Sequence, residues 1–176
     1  IIMVAVGHIG SFFIIDAGWW SVFGRMAAPI FFFLMGYAWS RTIPFRWIWL
    51  GVILTLLDSW NNDWRWLATN ILLSMVLIRI ARPYVLLFLQ NYGWYAFVLL
   101  VCTLLLVLPA AARMVEYGVE GWLWALFGLC HRMYVDDKGL ADRGGTDHRT
   151  VPTANTVTQN WVLMRLLACT VAALVY

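Results

Sequence analysis

Long apolar runs, broken by short polar clusters, set the pattern of this chain. Seven runs stand out: Ile1–Ile15, Val22–Trp39, Trp47–Leu57, Trp66–Ile80, one within Tyr84–Leu108, Val119–Leu129 and Trp161–Tyr176. Each is continuous, not alternating, so the period fits helices and not the in-out pattern of barrel strands. A membrane-crossing helix needs about 20 mostly apolar residues, and in lipid only helices or closed barrels satisfy their backbone. The pattern therefore predicts an all-α polytopic membrane protein with about seven transmembrane or membrane-embedded helices. The first and last runs start and stop inside apolar sequence, which predicts truncation at both ends. From Cys130 to Trp161 the composition turns polar, with Asp136, Asp137, Lys138, Asp142, Arg143 and Asp147. The organisation expected is a helical membrane core over 1–130, a polar cytoplasmic loop over 131–160 and a final membrane helix over 161–176.

Composition sharpens this reading. Of 176 residues, 63% are hydrophobic and 12% charged, against about 25% charged in an ordinary globular domain. A disordered chain and a nucleic-acid binder are excluded on that basis. Lys and Arg in the short loops set orientation. Placing Arg41 and Arg46 in the cytoplasm puts Arg79, Arg82, Arg132, Lys138, Arg143 and Arg149 on the same side, with Arg65 and Arg113 opposite. That arrangement predicts an integral protein of a bacterial or organelle inner membrane with a cytoplasmic-side N-terminus. The tryptophans gather at segment ends, as amphipathic rings do at headgroup level. Cys102, Cys130 and Cys169 match no disulfide or zinc spacing and read as packing residues. No metal is expected, and His131 and His148 lack partners at ligand spacing.

Ionisable groups inside apolar runs are costly and mark functional sites. His8 lies in the first run and Arg25 near the start of the second. A short turn, Asp16–Ser21, joins the two, so antiparallel neighbours are expected. Pro29 removes the hydrogen bond to the Arg25 carbonyl four residues back. Asn70, Asp58 and Glu120 fall at similar depth in the expected topology. The basic pair Arg79 and Arg82 before Pro83 reads as a topology signal more than as a phosphate site.

Four motifs in order resemble the TraX family. Val6-Gly7-His8-Ile9-Gly10 is similar to its first-helix "DHIG", and Gly24–Phe33 to its "GRxAFPIFAF". Asn70-Ile71-Leu72-Leu73 and Tyr117-Gly118-Val119-Glu120-Gly121 resemble its "NILF" and "YGxxG". Gly7 stands where the family has Asp, and Ala28 where it has Phe. The resemblance implies a polytopic membrane acetyltransferase of the kind associated with pilin N-terminal acetylation. Acetyl-CoA would be the donor, and the acceptor an amine or hydroxyl of a membrane-associated molecule such as a pilin. In that reading His8 is the general base, Arg25 stabilises the oxyanion and Asn70 binds substrate or cofactor, and Glu120 and Asp58, by their expected depth, join the same binding cavity. Lipid bilayer and other membrane subunits are the remaining expected partners, with no nucleic acid. The alternative is a non-catalytic accessory subunit packed in a larger membrane complex, and a small transporter is a third class.

Overall fold

The computed structural model describes residues 18–38, 44–61, 71–114, 118–143 and 154–175. Every element among them is helical: α1 (Gly18–Tyr37), α2 (Phe45–Asn61), α3 (Ile71–Met114), α4 (Gly118–Arg143) and α5 (Ala154–Val175). The first apolar run, residues 1–15, lies outside the described residues.

The centre of the bundle is α4. Val119, Gly121, Leu123, Ala125, Leu126, Gly128, Leu129 and Cys130 are all buried, so the helix is covered on nearly every side over its first half. A helix apolar all round belongs inside a bundle. Three clusters of buried side chains meet on it. Leu126, Leu129 and Cys130 join Leu89, Ala96 and Phe97 of α3 and Trp161, Met164 and Ala168 of α5. Ala125 joins Ala28 and Phe32 of α1 with Met75 and Ile78 of α3. Val119 and Leu123 meet Ala172 of α5. Burying a side chain the size of Phe32, 1% exposed, contributes about 1.5–3 kcal/mol.

Small residues let α1 and α4 approach closely. A Cβ on Gly36 would run into the Ala125 carbonyl, and one on Gly128 into the Phe33 carbonyl. Across the same seam the Phe32 ring lies 2.8 Å from where a Gly121 Cβ would sit. On the far side, α2 lies along the start of α3: Gly51 rests on Leu73, and the Arg79 guanidinium sits 5.4 Å from the Trp47 ring centroid.

Two apolar runs expected to be separate are one element. Helix α3 carries Pro83 without ending there, and turns instead at Gly93, whose φ of 54° and ψ of −126° are non-helical. Proline removes one hydrogen bond and bends a helix; a positive φ reverses its course, and only glycine takes that conformation without strain. Gly93 divides α3 into two arms, residues 71–92 and 94–114, both packed on α4.

These observations correct the expected fold class. Among the described residues one helix, over Ile71–Ala110, is long and apolar enough to cross a membrane, against about seven anticipated. Among the residues whose side chains are described, the apolar stretches Ala27–Tyr37, Phe45–Leu57 and Asn160–Val175 are 10–17 residues long. The described residues form a five-helix bundle in which α4 is packed between α1 and α5 on one side and α3 on another. The anticipated localisation, an integral polytopic protein of an inner membrane, is overturned by the same count. Helix α4 also continues to Arg143, well past the point where the composition turns polar.

Candidate functional site

The two arms of α3 and the buried helix α4 line a half-open cavity of about 320 Å³. Its walls are near-symmetric about the Gly93 turn. Ile78, Arg82, Val85 and Phe88 come from the first arm, and Leu99, Leu100, Thr103 and Leu104 from the second. Trp122, Ala125, Leu126 and Leu129 of α4 form the floor, and Gly36 of α1 completes it. The reversal at residue 93 is therefore what makes the cavity, by folding one face of a long apolar helix back towards the other. Two lining residues carry polar side chains. Thr103 donates its hydroxyl hydrogen to the Leu99 carbonyl of its own helix at 2.7 Å, so it offers the cavity mainly its methyl group. Arg82, half-buried, is the one charged residue on the wall. The volume lies at the lower end of the ~300–1,000 Å³ usual for small-molecule sites.

A second constellation gathers around Tyr37, at the same C-terminal end of α1. His131 of α4 sits between the rings of Tyr37 and Tyr134, with centroids 5.8 and 6.5 Å away and interplanar angles of 32° and 31°. Phe33 and Phe127 flank it at 6.0 and 6.1 Å. Arg165 of α5 donates an Nη1 hydrogen to His131 Nδ1 at 3.3 Å, and its guanidinium lies 4.1 Å from the Tyr134 centroid. At the opposite end of the stack, Arg132 sits 5.4 Å from the Tyr37 centroid and donates through Nε to Asp136 at 2.9 Å. Burial, and secondarily the Arg165 charge, hold the His131 pKa below the ordinary imidazole value. With Nδ1 accepting, the neutral ring carries its proton on Nε2. The Arg132 pKa is raised, first by its hydrogen bond to Asp136.

Of the residues expected to carry acyl transfer, Glu120 has its side chain within the described set. His8 and Asn70 lie outside the described residues. Arg25 falls on α1 and Asp58 on α2, with side chains outside the described set. Glu120 is placed in the first turn of α4, where its charge complements the helix dipole. Among the described residues no group of three or more His, Cys, Asp or Glu converges. The expected membrane acyltransferase is corrected on these grounds. No catalytic constellation appears among the described residues, and the polytopic framework on which both the enzyme and the accessory-subunit readings rested is replaced by a five-helix bundle.

Neither the cavity nor the His131 stack was singled out in the sequence. Phe127, His131 and Tyr134 share a helix face by their i, i+4 and i, i+3 spacing, and that signal was there to read. Tyr37 and Arg165 come from distant elements, and no local pattern joins them to it. No family model matches the chain, and neither a curated protein nor a solved structure does so. The TraX resemblance rests on its four motifs alone.

Proposed function

We propose that this protein is a non-catalytic binder of a single-chain amphiphile, holding the hydrocarbon in the cavity between the arms of α3 and the anionic head at Arg82. The observation that carries this reading is an apolar cavity of about 320 Å³ with one charged side chain on its wall. An apolar cavity of this kind takes up hydrocarbon, and each methylene removed from water contributes about 0.8 kcal/mol. A carboxylate or phosphate meeting Arg82 forms a charge-assisted hydrogen bond worth about 1.5–3 kcal/mol.

Lipid is the partner class that fits. Beyond the cavity, Leu87, Leu106 and Leu174 present large apolar side chains outward, and apolar surface of this kind marks contact with lipid or protein. The acetyl-CoA and membrane-associated acceptor implied by the TraX resemblance stand as proposals beside this one.

The test is titration of purified protein with a fluorescent polyene fatty acid. Saturable binding is expected, weakened about tenfold or more by Arg82→Gln and abolished by Leu100→Trp, which fills the space. A neutral alcohol of equal chain length should bind more weakly than the acid to the unaltered protein. Equal binding of the fatty acid by Leu100→Trp refutes the cavity as its site. Acetyl-CoA added as a competitor tests that ligand in the same assay, displacement of the fatty acid being the result that supports it.

A further inference from the structure

We propose that the edge shared by Arg165 and His131 is a binding site for a phosphate dianion, separate from the apolar cavity. Three observations lead to it. First, Arg165 has a half-buried guanidinium whose partners among the described residues are an imidazole nitrogen and a tyrosine face. No carboxylate among the described residues neutralises it, whereas Arg132 at the other end of the stack has Asp136. Second, Tyr134 fixes the plane of the guanidinium at 4.1 Å. Stacking uses the face and leaves the edge, with four of the roughly five N–H donors not directed at His131. A fork of that geometry matches two oxygens of a phosphate. Third, the Arg165–His131 contact is long at 3.3 Å, and an anion arriving at that edge replaces it with shorter, charge-assisted bonds.

His131 couples the site to pH. Among the described residues, the titratable and charged groups against its ring are Tyr37 from α1, Tyr134 from α4 itself and Arg165 from α5, while Arg132, its neighbour in α4, lies over Tyr37 and pairs with Asp136. Unliganded, a proton on Nδ1 would face the Arg165 cation and take away its acceptor. A dianion between them reverses the sign: Nδ1–H becomes a donor to phosphate oxygen beside the guanidinium. Phosphate binding and His131 protonation therefore promote each other.

The probe is inorganic phosphate, titrated into the full chain while the imidazole resonances are followed by NMR. The chain has three histidines, so His131→Gln assigns the signal by its loss. Saturable phosphate-dependent shifts of His131 are expected, with its titration midpoint raised by about one pH unit, equivalent to about tenfold tighter binding by the protonated form. Arg165→Gln should weaken phosphate at least tenfold. Arg165→Lys, which keeps the charge and loses the fork, should also weaken it at unchanged helicity by circular dichroism. A shift reproduced by chloride at equal ionic strength, or full phosphate affinity in Arg165→Lys, overturns the site. A short-chain phosphatidic acid run in parallel tells the source: tighter binding than inorganic phosphate supports a lipid headgroup as ligand, and equal binding supports a free phosphate. Because the readout is His131 and not the cavity, failure here leaves the amphiphile reading standing, and the reverse.

Discussion

Replacing Gly128 by alanine tests the packing that holds the bundle together. By helix propensity alone the change stabilises, since alanine is favoured over glycine by about 1 kcal/mol in a helix interior. The structure predicts the opposite sign. A Cβ at this position falls on the Phe33 carbonyl oxygen, and lies 3.0 Å from both the Phe33 carbonyl carbon and the Tyr37 nitrogen. All three atoms are backbone of α1, so no side-chain rotation relieves the contact; α1 must move away from α4. Overpacking costs about 1–3 kcal/mol, and a clash between backbones belongs at the upper end. Subtracting the propensity gain leaves a net loss of about 2 kcal/mol. For a chain of this size that lowers Tm by about 4–8 °C. Gly51→Ala is the milder comparison, because the obstacles there are Leu73 Cγ at 2.9 Å and the Leu73 backbone nitrogen at 3.3 Å, both farther off than the carbonyl oxygen at Gly128; its Tm should fall by less, under about 3 °C. Thermal unfolding followed by far-ultraviolet circular dichroism reads both. An unchanged or raised Tm in Gly128→Ala, with Gly51→Ala the less stable of the two, refutes the close α1–α4 seam.

Three other outcomes follow from particular residues. Gly93→Ala puts a side chain at φ 54° and should cost about 1–3 kcal/mol in chemical denaturation. It should also weaken fatty-acid binding, because the turn sets the arms that wall the cavity; unaltered stability and binding together would count against that turn. Burial pushes the Cys130 thiol up to about 12, while Cys102 is exposed. Iodoacetamide should modify Cys102 in the folded protein and reach Cys130 only after unfolding, as mass spectrometry of the digested protein will report. His131 has a lowered folded-state pKa, so its contribution to stability is present above about pH 6.5 and is lost as pH falls through the folded value. The Tm difference between the wild type and His131→Gln should narrow or reverse on going from about pH 7.5 to about pH 5, and a constant difference would contradict it.

Helix positions were legible where apolar runs are bounded by polar clusters. Val22–Trp39, Trp47–Leu57 and Val119–Leu129 each lie largely within a described helix. What the runs did not disclose is what covers them. An apolar run reads the same whether lipid or a neighbouring helix removes it from water, because the hydrophobic effect is non-directional. Seven runs therefore read as membrane crossings, whereas α1 and α5 both cover α4, and among the described residues one helix meets the length for a crossing. Pro83 was the stronger punctuation on paper, yet the chain reverses at Gly93. The proline fits a helix that bends, and Gly93 is where the backbone takes an angle that no other residue adopts without strain. Of the candidate site residues, Glu120 stands in the first turn of α4, where its charge complements the helix dipole.

The order of residues alone determined that this chain is helical and strongly apolar, because continuous apolar runs and scarce charge act locally. It also held the glycines of the α1–α4 seam, Gly36 and Gly128, without revealing that they face one another. Only the tertiary structure decided that the halves of α3 fold back over α4 to line a half-open cavity at Arg82, and that His131 and Arg165, 34 positions apart, share one edge. The physical reason is that periodicity fixes which face of a helix is apolar, while pairing of faces depends on backbone reversal and close approach, properties of two elements at once.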